Sequence, residues 1–578
     1  MQRKNASANP LRSDLELALM ECKGAFISAA GFSMVINLLM LTPSIYMLQL
    51  YDRVVSTGNK STLLMLTILM IALYLTMSFL EWIRSQILVR VSARLETLLN
   101  YRVFAVAFQQ SLASNQRAGT QPLEDLTALR QFLTGNGLFA FFDAPWLPIY
   151  VALLFVFHPW YGWFSVAIVL LLMAIAIVNE KLTAKPLAEA NDMAVQGRAQ
   201  VARNLRNAEV IESMGMLADI RRRWLETTYK ILELQSIASS RAGLISAISK
   251  VVRLTAQSAI LGLGAYLAVE REISPGLMIA GSILLGRALA PIDLLIGTWK
   301  GFISARGQYK RLHDILLEVP AESEKMSLPP PSGQIEFEAV QVNPPGSQKA
   351  TLRGISLVME RGDLIGVVGP SGAGKSTFAR AVLGIWPASA GKIRLDGADI
   401  ATWNRLELGP YIGYLPQDIE LFEGSISENI ARFGAVDAQK VIEAAQMAGV
   451  HELILHLPNG YDTPIGPGGA TLSGGQRQRI GLARALYGNP VIVVLDEPNS
   501  NLDDQGEEAL AQALNQLKQR QVTVILVSHR QNALSKVDKL LILNEGKLAL
   551  YGLREQVIAH LQRNIQQQTN AQPNPEPA

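Results

Sequence analysis

Cysteine is nearly missing from this chain: among 578 residues there is one, Cys22. A single thiol excludes an intramolecular disulfide and a cysteine-rich metal site, and it suits soluble parts facing a reducing cytosol. Charge is scarce too, at 17% of residues against 49% hydrophobic, with a mean hydropathy of +0.20. That balance leans toward lipid compared with a soluble enzyme. The net charge is only +3, and no Lys/Arg run is interleaved with aromatics, so no nucleic acid is expected as a partner. Internal repeats are absent. So is a short apolar run ahead of a small-residue cleavage site: the first apolar stretch follows a polar segment carrying Arg3, Lys4 and Arg12, and it reads as a retained span.

What is present begins with long uncharged runs. Residues 24–51 and 61–80 each suffice to cross about 30 Å of hydrocarbon as a helix. Residues 144–178 are too long for one crossing, and His158-Pro159 interrupts them, so they read as a hairpin of two spans. Residues 254–269 and 273–299, separated by Glu270, Arg271 and Glu272, bring the total to six. Lys and Arg gather in residues 84–130 and 181–253, which predicts that these segments and both termini are cytoplasmic. Their periodicity predicts helices continuing past the bilayer to turns near residues 116–124 and 206–216, where a soluble domain would dock.

So long a chain exceeds one ordinary core, and its composition changes along its length. A cytoplasmic segment (1–23), a six-helix transmembrane domain (24–310) and a Pro-rich linker (311–332) precede short β-branched runs alternating with helical ones. Those runs predict an α/β domain over 333–563, followed by a disordered tail over 564–578.

The apolar run Leu364-Ile365-Gly366-Val367-Val368 reads as a buried strand, followed by Gly369-Pro370-Ser371-Gly372-Ala373-Gly374-Lys375-Ser376-Thr377 and a helical segment. This is a phosphate-binding loop in its required strand–loop–helix setting. Its glycines let backbone N–H groups close on phosphate oxygens, Lys375 reaches the β- and γ-phosphates of ATP, and Ser376 can ligate Mg²⁺. A second apolar strand, residues 491–495, ends in Asp496-Glu497. There Asp496 is placed to hold Mg²⁺ through water, and Glu497 to act as general base on the attacking water.

Between these lies Leu472-Ser473-Gly474-Gly475-Gln476-Arg477-Gln478-Arg479, which closely resembles the signature of ABC-type ATPases. The resemblance implies that residues 473–476 cap the γ-phosphate of an ATP held by a second copy, and hence a homodimer. It also implies that Gln417 senses Mg²⁺ and the attacking water, that His529 contacts the γ-phosphate, and that Asp503 lies in a loop that speaks across the dimer. Two stretches depart from the pattern. Val342-Asn343-Pro344-Pro345-Gly346 stands where exporters usually carry an adenine-stacking aromatic, and Pro467 stands where many carry Glu.

Four further stretches narrow the resemblance: Ile45-Tyr46-Met47-Leu48-Gln49-Leu50-Tyr51-Asp52-Arg53-Val54-Val55, Phe142-Asp143-Ala144-Pro145-Trp146, Gly384-Ile385-Trp386-Pro387 and Asp496-Glu497-Pro498-Asn499-Ser500-Asn501-Leu502-Asp503. Together they resemble the inner-membrane ATPases of bacterial type I secretion, in the branch exporting metalloproteases, lipases and haem-binding proteins. That implies ATP-driven export of an unfolded protein with a C-terminal signal, a membrane-fusion adaptor and an outer-membrane channel. The alternative is a half-size exporter of lipid or drug-like amphiphiles, and the six spans exclude a soluble ABC ATPase acting on DNA or ribosomes. Too few residues precede the first span for a peptidase domain, so uncleaved cargo is expected. Arg287 and Asp293, inside the sixth span, are expected either to line a polar translocation path, or to pair with each other or sit near a helix end.

Overall fold

A computed structural model describes residues 12–113, 120–320, 325–466, 469 and 472–570. The polar N-terminal segment to residue 11, the first part of the turn at 116–124, the middle of the linker, Pro467 and the end of the tail lie outside the described residues. The chain forms two compact units that divide at residue 321.

In the first unit six helices are long and apolar enough to cross a membrane: Lys23–Val55, Lys60–Leu112, Gly137–Phe157, Pro159–Arg206, Leu217–Val269 and Pro275–Glu318. The expected count of six holds. Lys60–Leu112 and Leu217–Val269, at 53 residues each, extend about 80 Å, more than twice a hydrocarbon core of about 30 Å. The hairpin breaks where expected. His158 is extended (φ −166°, ψ 141°), Pro159 opens the next helix, and the His158 ring accepts from the Trp160 N–H. The turn expected at 206–216 contains a short helix, Ala208–Ser213.

The last helix of this unit runs to Glu318, past the domain end placed at 310, because Leu312 and Leu316 are buried with Leu95 and Leu99. It stops at Val319, where a following Pro320 disfavours helical backbone. At the other end of the chain, helix Arg554–Asn570 overruns the tail boundary at 563, since the Gln-rich sequence there is a fair helix former.

Two acidic residues inside this unit are tied to other polar groups. Arg84 donates to Ser33 Oγ and lies 3.2 Å from Asp143, which also accepts from Asn37. Asp293 does not pair with Arg287: its Oδ2 lies 2.7 Å from Arg253 Nε, and its Oδ1 accepts from Ser249.

The second unit is built on a six-stranded sheet. Its order is Lys547–Leu553, Lys539–Asn544, Leu364–Val368, Thr523–Val527, Ile492–Asp496, Ile412–Leu415, with the first strand antiparallel and the rest parallel. Alternate residues of the central strands enter opposite cores. Val493, Leu495, Val524 and Leu526 pack with helices Gly474–Leu486 and Asp504–Gln519, while Val494, Ile525, Val527 and Phe378 pack under the other face. Burial on both faces is why these strands are unbroken apolar runs rather than alternating ones. An antiparallel sheet of Leu352–Met359, Ile335–Val342, Ala390–Leu395 and Ala398–Asp399 completes the unit.

Candidate active site

Sheet register assembles the site. Leu415 pairs with Leu495, and Val527 pairs with Asp496, so residues just past three neighbouring strand ends share one edge of the sheet. They are Gln417, Glu497 and His529. Gln417 Nε2 donates to Glu497 Oε2 at 3.1 Å, and His529 Nε2 lies 3.9 Å from Glu497 Oε1. Glu497 itself sits in left-handed backbone at φ +51°, a conformation costly for a residue with a Cβ.

The loop at 369–374 leaves the end of the neighbouring strand Leu364–Val368, and its backbone requires glycine at two points. A Cβ on Gly369 would lie 2.2 Å from the Leu543 carbonyl oxygen, and Gly374 has φ +96°. Helix Lys375–Val382 follows without a side-chain cap, so the first N–H groups, those of Lys375, Ser376 and Thr377, are left for a ligand. The helix is anchored by Phe378, stacked on Phe337 at 5.0 Å. Lys375 is 8% exposed, and its Nζ donates to the Gly369 and Pro370 carbonyls. Pro370, Ser371, Gly372 and Ala373 complete the loop, Gly372 at φ +79°.

Asp496 ends its strand only 2% exposed, and its Oδ1 has no hydrogen-bond partner among the described residues. Burial pushes its carboxyl up from the ordinary range, opposed by the Ser376 hydroxyl and by Arg380. An unpartnered buried carboxylate oxygen beside a serine hydroxyl suits a magnesium ion, an oxygen-seeking cation.

The signature residues are organised differently. Ser473 caps helix Gly474–Leu486 in a reciprocal box with Gln476: Ser473 Oγ accepts from Gln476 N–H at 3.2 Å, and Ser473 N–H donates to Gln476 Oε1 at 2.8 Å. Gly474 and Gly475 face Asn501, whose carbonyl would lie 2.9 Å from a Cβ on Gly475. Among the described residues no hydrogen bond or ion pair joins residues 473–476 to Lys375 or Ser376. Asp503 caps helix Asp504–Gln519, and the Gly506 N–H, together with Arg479, holds its carboxyl below the usual range. At 343–346 the chain turns away from strand Ile335–Val342 with Gly346 at φ +75° and no aromatic side chain.

One residue went unassigned by sequence reasoning, Gln478. It lies inside the signature octapeptide on the buried helix face shared with Leu482 and Ala485, and a polar side chain on such a face must find partners.

Comparisons with known proteins agree with this geometry. Residues 352–500 match the family model described as ABC transporter, and residues 26–289 match the ABC transporter transmembrane region. The type I secretion system ATP-binding protein PrsD of Rhizobium meliloti (strain 1021) is 42% identical over 561 residues, covering 96% of each chain. The cyclolysin secretion/processing ATP-binding protein CyaB of Bordetella pertussis is 29% identical over 548 residues, which cover 91% of this chain and 75% of that one. Among solved structures, a bacterial Atm1-family ABC exporter with ATP bound shares the fold at a TM-score of 0.80 and 21% identity, over 96% of this chain and 99% of that one.

Proposed function

The chain belongs to the ABC transporter family, its membrane region and ATPase joined in one polypeptide, and from that premise we propose that a homodimer drives type I protein secretion across the bacterial inner membrane. The secretion reading is carried by similarity along almost the whole chain to a type I secretion ATP-binding protein. The homodimer is supported by the separation of residues 473–476 from the Lys375 side of the site, since a second copy related by a twofold axis can supply them.

In this reading ATP lies along the loop at 369–374 with its β- and γ-phosphates at the uncapped helix N-terminus. Lys375 exchanges the Gly369 and Pro370 carbonyls for phosphate oxygens. Ser376, Gln417 and Asp496 would hold Mg²⁺, which when bound supplies the positive charge that offsets the phosphates. Glu497, oriented by Gln417, takes a proton from the water that attacks the γ-phosphorus, and ADP leaves with the bridging oxygen. His529 contacts the γ-phosphate beside it. Residues 473–476 of the second copy close the far side, and Asp503 stands at the seam between the copies. The turns at 116–124 and 206–216 carry the closure to the spans, and the dimer alternates between two arrangements.

Both termini and the ATPase face the cytoplasm, and lipid contacts the outward faces of the spans. None of the most apolar window of helix Lys60–Leu112 is buried. A membrane-fusion adaptor and an outer-membrane channel complete the conduit, and the cargo is an unfolded metalloprotease, lipase or haem-binding protein with a C-terminal signal.

Co-expression with candidate adaptor, channel and cargo tests this. Export is expected to require all three together with ATP hydrolysis, and Lys375→Ala is expected to abolish it. Export of a lipid or drug-like amphiphile in their absence, with no cargo secreted in their presence, would overturn the secretion reading.

A further inference from the structure

We infer that Gln478 is a positioning residue for hydrolysis: its buried side-chain amide holds the backbone that follows Glu497 and so links helix Gly474–Leu486 to the base of the same chain's site. The inference rests on the reading of Glu497 as general base.

Gln478 is 1% exposed, and both ends of its amide are engaged. Nε2 donates to the carbonyls of Glu497, at 3.3 Å, and of Pro498, and lies 3.4 Å from Ser500 Oγ. Oε1 accepts from the Asn501 N–H at 3.0 Å. One side chain thus touches every residue from 497 to 501 except Asn499, which is itself buried and paired with Ser528.

The loop needs this help for a physical reason. Glu497 is held at φ +51°, and such a conformation persists only where its surroundings fix it. On its amino side the Glu497 N–H donates to the Val527 carbonyl at 2.9 Å, and on its carbonyl side Gln478 and the Ser500 N–H converge. Pro498 has no N–H with which to close a tighter turn. The next signature residue, Arg479, grips Asp503, so two successive residues of one helix hold both ends of the 497–503 loop.

That helix begins at Ser473 and Gly475, which in the proposed dimer meet the nucleotide of the other copy. A shift of the helix when that nucleotide arrives moves Gln478 with it, and Gln478 moves the backbone that aims the Glu497 carboxylate toward Gln417 and His529. Occupancy of one site is thereby felt at the base of the other. An apolar residue of the same length would fill the space at 478 but could not carry this connection.

Turnover by the full-length protein in lipid nanodiscs, with ATP and Mg²⁺, tests the inference. Gln478→Met keeps length and volume and removes every hydrogen bond of the amide. Its kcat is expected to fall about 10²-fold, the scale of a roughly 1 Å misplacement of a reacting group, while KM for ATP stays at the wild-type value and the thermal midpoint falls only modestly, by what the backbone groups left unpaired cost. Gln478→Asn, which keeps a polar side chain but cannot span the loop, is expected to show the same split should the methionine variant fail to fold. In single-turnover assays the double variant Gln478→Met with Glu497→Gln is expected to be no slower than Glu497→Gln alone. Wild-type kcat in both 478 variants, losses in KM and midpoint that parallel kcat, or a double variant slowed by the product of the two effects would each overturn it. Near-normal turnover in Glu497→Gln alone would instead sink the general-base reading, and this inference with it.

Discussion

Two buried carboxylates set the units of this chain apart. Asp125 in the membrane unit is 3% exposed and fully engaged: Arg311 donates to both its oxygens, at 2.7 and 2.9 Å, and Gln121 donates to one. Asp496 in the ATPase is 2% exposed and keeps one oxygen without a partner among the described residues. Burial alone cannot explain that difference. A carboxylate sealed in by a guanidinium fork is committed to the scaffold, whereas a buried oxygen left incomplete costs stability and is retained for what binds there. For these two carboxylates, partner count, more than depth, separates the site from the framework.

The sharpest way to break the comparison is to change chemistry without changing shape. Glu497→Gln is expected to cut turnover by about 10²–10⁴-fold while ATP binding persists; steady-state hydrolysis beside a nucleotide-binding titration reads both. Asp496→Asn is expected to cost about 10²–10³-fold, with the Mg²⁺ dependence of turnover weakened. Asp125→Asn should do the reverse. Removing the charge opposite Arg311, which is itself 35% exposed and 3.9 Å from Asp192, weakens two charge-assisted hydrogen bonds at a buried carboxylate, worth about 1.5–3 kcal/mol of stability, and should show as a lower thermal midpoint at little cost in kcat per folded molecule. If Asp125→Asn slowed catalysis at an unchanged midpoint, Asp125 would belong to function and the contrast would fail.

The same contrast explains what was legible in the sequence. Two ATPase strands, Leu364–Val368 and Ile492–Asp496, are unbroken apolar runs, so their ends could be located to within a residue; Gln417 and His529 came from the resemblance, and parallel register brings them to Glu497. The six spans stand out for the same reason, as runs without charge. Asp125 does not: in sequence it is one acidic residue in a basic segment, and its partner Arg311 lies 186 positions away. The course of the last membrane-unit helix to Glu318 depends on burial of Leu312 and Leu316 with Leu95 and Leu99, a tertiary fact that no local pattern states. For Asp293, pairing with Arg287 is one of the expectations its sequence allows, but the fold gives it Arg253 from the preceding span.

A smaller effect is expected at that last pair. Both side chains are about one-third exposed, Arg253 at 31% and Asp293 at 29%, so the pair lies between the extremes set by Asp125 and a free surface ion pair. Exchanging the two charges together should lower stability by about 1 kcal/mol or less, since the Ser249 hydroxyl loses its acceptor. ATP turnover should be unchanged. Export should be unchanged as well if the pair is framework, and an export defect with normal turnover would put Asp293 on the cargo's path.

The smallest effect is expected at Asp52, a carboxylate with a partner for each oxygen, as at Asp125, but from neutral donors. Its Oδ2 accepts from Ser274 Oγ at 2.6 Å and its Oδ1 from the Gly276 N–H at 2.9 Å, at the start of helix Pro275–Glu318. Gly276 permits the approach, since a Cβ there would lie 2.6 Å from Asp52 Oδ1. Asp52→Asn keeps one acceptor and loses the charge that complements the helix N-terminus, an effect of about 0.3–1 kcal/mol. Gly276→Ala attacks the same contact by crowding and should cost more than the loss of charge. If both variants leave the midpoint in place yet impair export at normal ATP turnover, Asp52 is not a cap, and completeness of pairing would no longer suffice to assign a carboxylate to the scaffold.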